Sequence, residues 1–303
     1  MSALAPVSPA GARSTTSSGR FLIHGVEFVV ETDVKRAWQA VHESYRAFWQ
    51  SDPLPIASGS PRLRLWRVPA GFRLVAPSGR VHEVGDEDVA VVALLDLVTR
   101  QLHEGLASHG ILGIHAGAVE LGGRAVLMSG PSGRGKSTLT LGLLRRGARW
   151  LTDELTLIAP DDATILPFPR GLHVRPATLE LVPELEFLRE RPRQELGGGS
   201  EWSVGAADLA TAFGTRIAAA TPLAGILLLD GIPDPGRPAR IETMPAALAT
   251  MELLRGTPAA AVDFTATMER LSSVTAKVRT ARLAVGELDA TATAIIDWLG
   301  SSR

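Results

Sequence analysis

The stretch AVLMSGPSGRGKSTLTLGLLRRG, residues 125–147, decides how the rest of the chain is read. Ala125–Ser129 reads as an apolar strand, and Thr138–Leu144 has a helical pattern that Gly147 ends. Between them Gly130-Pro131-Ser132-Gly133-Arg134-Gly135-Lys136-Ser137 matches G-x-x-x-x-G-K-[ST] at every fixed position. A glycine-rich turn of this kind aims backbone N–H groups inward, where they cradle phosphate oxygens. The dipole of the helix beginning near Lys136 favours the same anion. Lys136 is placed to reach β and γ phosphates, and the Ser137 hydroxyl to ligate Mg²⁺. The binding candidates are therefore Gly130 to Ser137, with Thr138 next in line at the helix start. Such a loop predicts a nucleoside triphosphate and leaves the reaction open.

Working outward, Ile114–Leu121 reads as a strand paired with Ala125–Ser129 through the hairpin signal Gly122-Gly123. After the helix come strands at Trp150–Thr152 and Leu155–Ala159. Between these two lies Asp153-Glu154, an acidic pair suited either to holding Mg²⁺ or to taking a proton from a hydroxyl; a turn position is the alternative. Pro192–Ser200 is polar and glycine-rich, which predicts a mobile loop. Ala224–Leu229 is a continuous apolar run suited to a buried central strand. Pro245–Leu254 and Phe264–Lys277 read as helices. A strand at Ala281–Val285 and a helix at Asp289–Leu299 close the chain.

Upstream, residues 1–20 read as a disordered tail and 21–109 as a small α+β domain. Its pattern is a strand at Phe21–Glu31, a helix from Val34 to Tyr45, three short strands and a long helix over Asp86–His109. Residues 110–303 form the P-loop domain, so the fold class is α/β with a small N-terminal α+β domain. At roughly 150 residues per domain, 303 residues agree with two. The net charge of −1 gives no field for nucleic acid. The absence of cysteine excludes disulfides and thiolate chemistry. No apolar run is long enough to span a membrane, and a cytoplasmic location is expected. Only three of the 31 basic residues are lysines, one of them Lys136.

The segment from Gly113 to Ile158 resembles the catalytic domain of the HPr kinase/phosphorylase family. His115 stands 21 residues before Lys136 and Asp153 stands 17 after it, as in that family. Pro169-Arg170-Gly171-Leu172 resembles its Arg-Gly-Leu segment. Within the wider group the chain is similar to HPr-kinase-related proteins of peptide-modification systems, including lasso-peptide precursor kinases. The resemblance implies Asp153 as general base, with His115 beside it to orient it. Lys136 and Ser137 would hold phosphates and Mg²⁺, and Arg170 would lie near the active site; Glu154 is a further metal-ligand candidate from its place in the acidic pair. The resemblance also implies ATP and Mg²⁺ as cofactors and a serine hydroxyl on a peptide or small protein as acceptor. Self-association is an expectation of the same origin.

The chain departs from the family at two residues, and the family's phosphorolysis loop is not recognisable in it. Glu154 stands where the family has a second aspartate, and Phe168 where it has an acid. Kinase chemistry without phosphorolysis is therefore expected. A small-molecule kinase and a nucleotide-dependent switch of a biosynthetic complex are the alternatives.

Overall fold

A computed structural model describes residues 16–51, 59–196, 199–231, 234 and 236–301. The chain divides into two compact units, with the division inside one helix, after Gln101. The first unit contains β1 (Ser17–Ile23), β2 (Val26–Thr32), α1 (Lys35–Tyr45), β3 (Trp49–Gln50), β4 (Arg62–Val68), β5 (Gly71–Val75), β6 (Val81–Val84) and the start of α2 (Glu87–Ser108). Its six strands lie in the order β3-β1-β2-β4-β5-β6, with β2 and β4 parallel.

Two expectations change here. The strand foreseen over Phe21–Glu31 is a hairpin, turned at His24 (φ 46°) and Gly25 (φ 88°). Two consecutive left-handed residues are what a tight turn between right-twisted strands requires. The hairpin's first strand begins at Ser17, inside the segment read as a tail to residue 20; residues 1–15 lie outside the described residues. The apolar side of the sheet closes on Phe21, Phe28 and Tyr45, whose ring centroids lie 5.2 to 6.2 Å apart.

The second unit continues with β7 (Leu112–Ile114), β8 (Ala116–Leu121), β9 (Arg124–Ser129), α3 (Lys136–Arg145), β10 (Arg149–Thr152), β11 (Thr156–Ile158), β12 (Thr164–Leu166) and β13 (Leu172–Val174). Then come α4 (Pro176–Leu181), β14 (Gln194–Leu196), β15 (Gly199–Val204), α5 (Ala206–Phe213), β16 (Thr221–Asp230) and β17 (Arg240–Thr243). The chain closes with α6 (Ala246–Leu254), α7 (Phe264–Lys277), β18 (Arg279–Ala284) and α8 (Leu288–Gly300).

The apolar run at Ala224–Leu229 lies within β16, the middle of a nine-stranded mixed sheet. It runs parallel to β9 on one side and β18 on the other. Alternation sorts the strand residues onto two faces. Val126, Met128, Leu227 and Leu229 pack in one cluster with Leu139 and Leu143 of α3 and Ile295 of α8. Ala125, Leu127, Ile226 and Leu228 pack in another with Leu253 of α6 and Leu271 and Val274 of α7. This is an α/β arrangement with helices on both faces of the sheet. Among the described residues, no helix is long and apolar enough to cross a membrane.

The segment expected to be a mobile loop, Pro192–Ser200, contributes instead to β14 and β15 of a three-stranded sheet in the order β13-β15-β14; Gly197 and Gly198 lie outside the described residues. The anchor is the next segment. Trp202 and Val204 are buried opposite Val174 and Leu172, and the Trp202 indole N–H donates to the Arg191 carbonyl at 3.1 Å.

Candidate functional site

β9 delivers the chain into the loop at Gly130, and α3 takes it up at Lys136. Gly133 (φ 79°) and Gly135 (φ 85°) are left-handed, a conformation that a side chain disfavours at both positions. Lys136 is 8% exposed. Its Nζ folds over the loop and donates to the carbonyls of Gly130 (2.7 Å) and Pro131 (3.2 Å). Burial lowers its pKa, against the opposing pull of Asp153 and Glu154.

One residue along, the Ser137 hydroxyl donates to Asp153 Oδ2 at 2.7 Å. Asp153 follows β10 directly and is 3% exposed. Burial pushes its carboxyl up to about 7. The Ser137 hydrogen bond and the Lys136 charge oppose that rise, and Glu154 adds to it. Its second oxygen, Oδ1, is buried near Thr140 Oγ1, whose hydroxyl also opposes the rise, although neither atom has a partner of good hydrogen-bond geometry among the described residues. Gly117 of β8 forms the floor. A Cβ there would stand 3.2 Å from Thr140 Oγ1 and 3.7 Å from Asp153 Oδ1.

The strand read as Ile114–Leu121 is interrupted at His115. β7 pairs with β11, whereas β8 pairs with β9 and β10, so the chain changes partners at this residue. The His115 backbone N–H donates to the Gly256 carbonyl at 2.6 Å. Its imidazole is exposed, and its pKa is lowered by desolvation first and by Lys136 second, with Glu154 opposing.

Two clefts meet here. The smaller, about 190 Å³, takes Ser132, Gly133, Gly135, Lys136, Ser137 and Thr138 from the loop and helix start. His115, Asp153 and Glu154 line it as well. The larger, about 510 Å³, takes Gly130, Pro131 and Arg134 from the same loop. His115 lines both. The sequence-derived loop residues are thus divided between two cavities.

Arg170 lines neither cleft; its charge acts on His103, whose pKa it lowers together with burial. The arginine in the smaller cleft is Arg175, five residues further on. Alternation along β13 explains the difference: Leu172 and Val174 point into the core, so His173 and Arg175 point away from it. His173, Arg175, Thr178 and Glu201 complete this cleft and went unread in the sequence. His173 stands between two carboxylates, Glu154 at 4.0 Å and Glu201 at 3.9 Å, and Arg175 pairs with Glu201 at 2.7 Å. Phe168 is fully buried.

Ser137 and Glu154 line one cleft and supply the hydroxyl and carboxylate oxygens that a hard divalent cation such as Mg²⁺ takes, although no three His, Asp or Glu side chains gather into a metal site among the described residues. Ser137 and Glu154 remain the ligands the sequence suggests for it.

No protein-family model and no curated protein matches the chain. A solved structure, the HPr(Ser) kinase/phosphatase from Coxiella burnetii, is similar at 15% identity over 62% of this chain and 93% of that one, with a TM-score of 0.26. An overlap of that quality leaves the architecture to rest on this chain's own topology.

Proposed function

We propose that the chain is a Mg²⁺-dependent kinase that moves the γ-phosphoryl group of ATP to a hydroxyl, a serine on a peptide or small protein. The observation that carries this reading is the hydrogen bond from Ser137 to a buried carboxylate, Asp153, inside a cleft walled by a P-loop. A carboxyl near 7 is well matched to proton transfer at neutral pH, because the best general base titrates close to the working pH.

In this reading the loop N–H groups and the α3 N-terminus hold the phosphates, and Lys136 leaves the Gly130 and Pro131 carbonyls to reach the β and γ groups. Ser137 and Glu154 would hold Mg²⁺, which would supply charge neutralisation for the transferring phosphoryl group. The acceptor oxygen forms a bond to the γ phosphorus as the bond to the β–γ bridging oxygen breaks. The hydroxyl proton passes to Asp153, and ADP leaves with the bridging oxygen. Phe168, buried and apolar, offers no acid for the reverse phosphorolysis.

The Ser137–Asp153 bond also favours a second reading, in which Asp153 serves the metal alone and the chain is a nucleotide-dependent switch. Labelled γ-phosphate separates the two. The kinase reading requires label on a serine-containing acceptor; nucleotide binding with phosphate released only to water would support the switch.

A further inference from the structure

The smaller cleft has a wall that the phosphate loop does not supply. His173 and Arg175 reach it from β13 and the end of that strand, Glu201 from β15 and Thr178 from α4. We propose that Arg175 is a further catalytic residue, whose guanidinium takes a non-bridging oxygen of the γ-phosphoryl group, and that Glu201 positions it. The assignment rests on the reading of this cleft as the place of phosphoryl transfer.

Sequence and register together hold Arg175 in place. Pro176 follows it, and a residue before proline is confined to extended backbone; Arg175 has φ −87° and ψ 157°. Val174 pairs with Trp202 across the antiparallel strands, so the next step of the register sets Arg175 beside Glu201. Val174 and Trp202 are buried in the core, and alternation turns Arg175 and Glu201 to the face that lines the cleft. The Glu201 side chain is 13% exposed, and its Oε1 accepts from Arg175 Nε at 2.7 Å. Its Oε2 stands 3.9 Å from His173 Nδ1.

This pairing leaves a donor edge unused. A guanidinium donates from Nε and from both Nη groups, and Glu201 takes only Nε. Nη1 and Nη2 of Arg175 make no hydrogen bond among the described residues. Two N–H groups side by side match the spacing of phosphate oxygens. An arginine held by Nε and open at Nη can therefore present that edge to an anion without giving up its anchor.

The company Arg175 keeps names the anion. Lys136 serves the β and γ phosphates, Ser137 the metal that bridges them, and Asp153 the hydroxyl that attacks the γ phosphorus. Arg175 lines the same cleft as all three. Among the described lining residues Lys136 and Arg175 are the lysine and arginine cations, set against the carboxyl groups of Asp153, Glu154 and Glu201. A triphosphate brings more negative charge to this wall, and transfer spreads that charge over the equatorial oxygens of the moving group. A pre-positioned guanidinium acts where the charge develops. As a surface ion pair alone, Arg175 and Glu201 would contribute little to stability and nothing to nucleotide binding.

The test is calorimetric titration of the full chain, with Mg²⁺ present, by ADP and by AMP-PNP, a triphosphate analogue whose γ group is not transferred. Arg175→Gln should weaken AMP-PNP binding about tenfold, the effect of one charge-assisted hydrogen bond. ADP binding and the thermal midpoint should hold. Single-turnover transfer of labelled γ-phosphate should fall on the order of 10³-fold. Arg175→Lys keeps the charge but cannot grip Glu201 and a phosphate oxygen together, so it should recover little; should Arg175→Gln unfold, it serves in the same comparison. Glu201→Gln should reduce the preference for AMP-PNP over ADP and lower transfer by a smaller factor. Equal weakening of ADP and AMP-PNP would put Arg175 on the α or β phosphate, and unchanged binding of both would leave it a surface ion pair; either overturns the assignment. Label reaching a serine acceptor at the native rate in Arg175→Gln would overturn it while the kinase reading stands. A loss confined to AMP-PNP, with no label on a serine acceptor even from the native chain, would remove the kinase reading and leave Arg175 on the γ-phosphate of a switch.

Discussion

In the N-terminal unit the one fully buried polar residue among those described is Thr32, and its hydroxyl accepts the Val34 N–H at 3.0 Å. In the P-loop unit Glu120, Lys136 and Asp153 are all less than a tenth exposed. The first unit keeps its charges in partly exposed pairs such as Glu31 with Arg62 and Arg64, or Arg73 with Glu83. Burying an ionised group is costly unless it is paired, and burial accordingly lowers the pKa of Lys136 and raises that of Asp153. The contrast is between a unit whose described charges stay partly exposed and one that buries Glu120, Lys136 and Asp153.

Substitutions sharpen that contrast, beginning with the largest effect. Lys136→Met keeps the stem and removes the ammonium. It should lower phosphoryl transfer on the order of 10³-fold or more while the thermal midpoint holds or rises, as single-turnover assays beside thermal unfolding would show. A large loss of stability would mean that Lys136 is a packing residue. In the other unit, Phe21→Ala opens the Phe21–Phe28–Tyr45 cluster and should cost about 3–5 kcal/mol in denaturant unfolding. Nucleotide affinity per folded molecule should be unchanged; a matching loss of affinity would break the distinction between the units.

The next effect is a pH slope. With metal removed by chelation, folded Asp153 holds a proton between its ordinary 3.8 and about 7, which the unfolded chain has already lost. The raised carboxyl therefore makes stability fall as pH rises through that window and level off above it. Asp153→Asn should remove the slope, which thermal unfolding across the window would reveal; an unaltered slope would show that another group titrates. Gly117→Ala is smaller again. Its methyl crowds Thr140 Oγ1 and the Asp153 backbone and should cost about 1–3 kcal/mol in denaturant unfolding. Arg73→Gln, in an exposed pair, should change stability by less than about 1 kcal/mol in the same measurement.

The strand, loop and helix around Lys136 were legible because the motif is local and each part constrains its neighbour. So was β16, whose unbroken apolar run demands burial on both faces. The two-faced environment of His115 was not legible: nothing in the run from Ile114 to Leu121 signals a change of pairing partner in mid-strand. His173 and Glu201 come together only through the pairing of β13 with β15, where His173 lies opposite Ser203. A register across some thirty residues leaves no local trace. The Arg-Gly-Leu segment drew the reading to Arg170, whereas the arginine that lines the smaller cleft is Arg175, reached only through the alternation of the strand that follows. At Pro192–Ser200, glycine content outweighed the Trp202 and Val204 alternation just beyond it.

The most direct test of the central claim is single-turnover transfer of labelled γ-phosphate to a serine-containing acceptor, comparing the native chain with Asp153→Asn and normalising to folded protein. Asparagine keeps the size and polarity but cannot take a proton at neutral pH. Transfer should fall by roughly 10²–10⁴-fold with nucleotide affinity nearly unchanged. Near-native transfer by Asp153→Asn would contradict the assignment of Asp153 as the base.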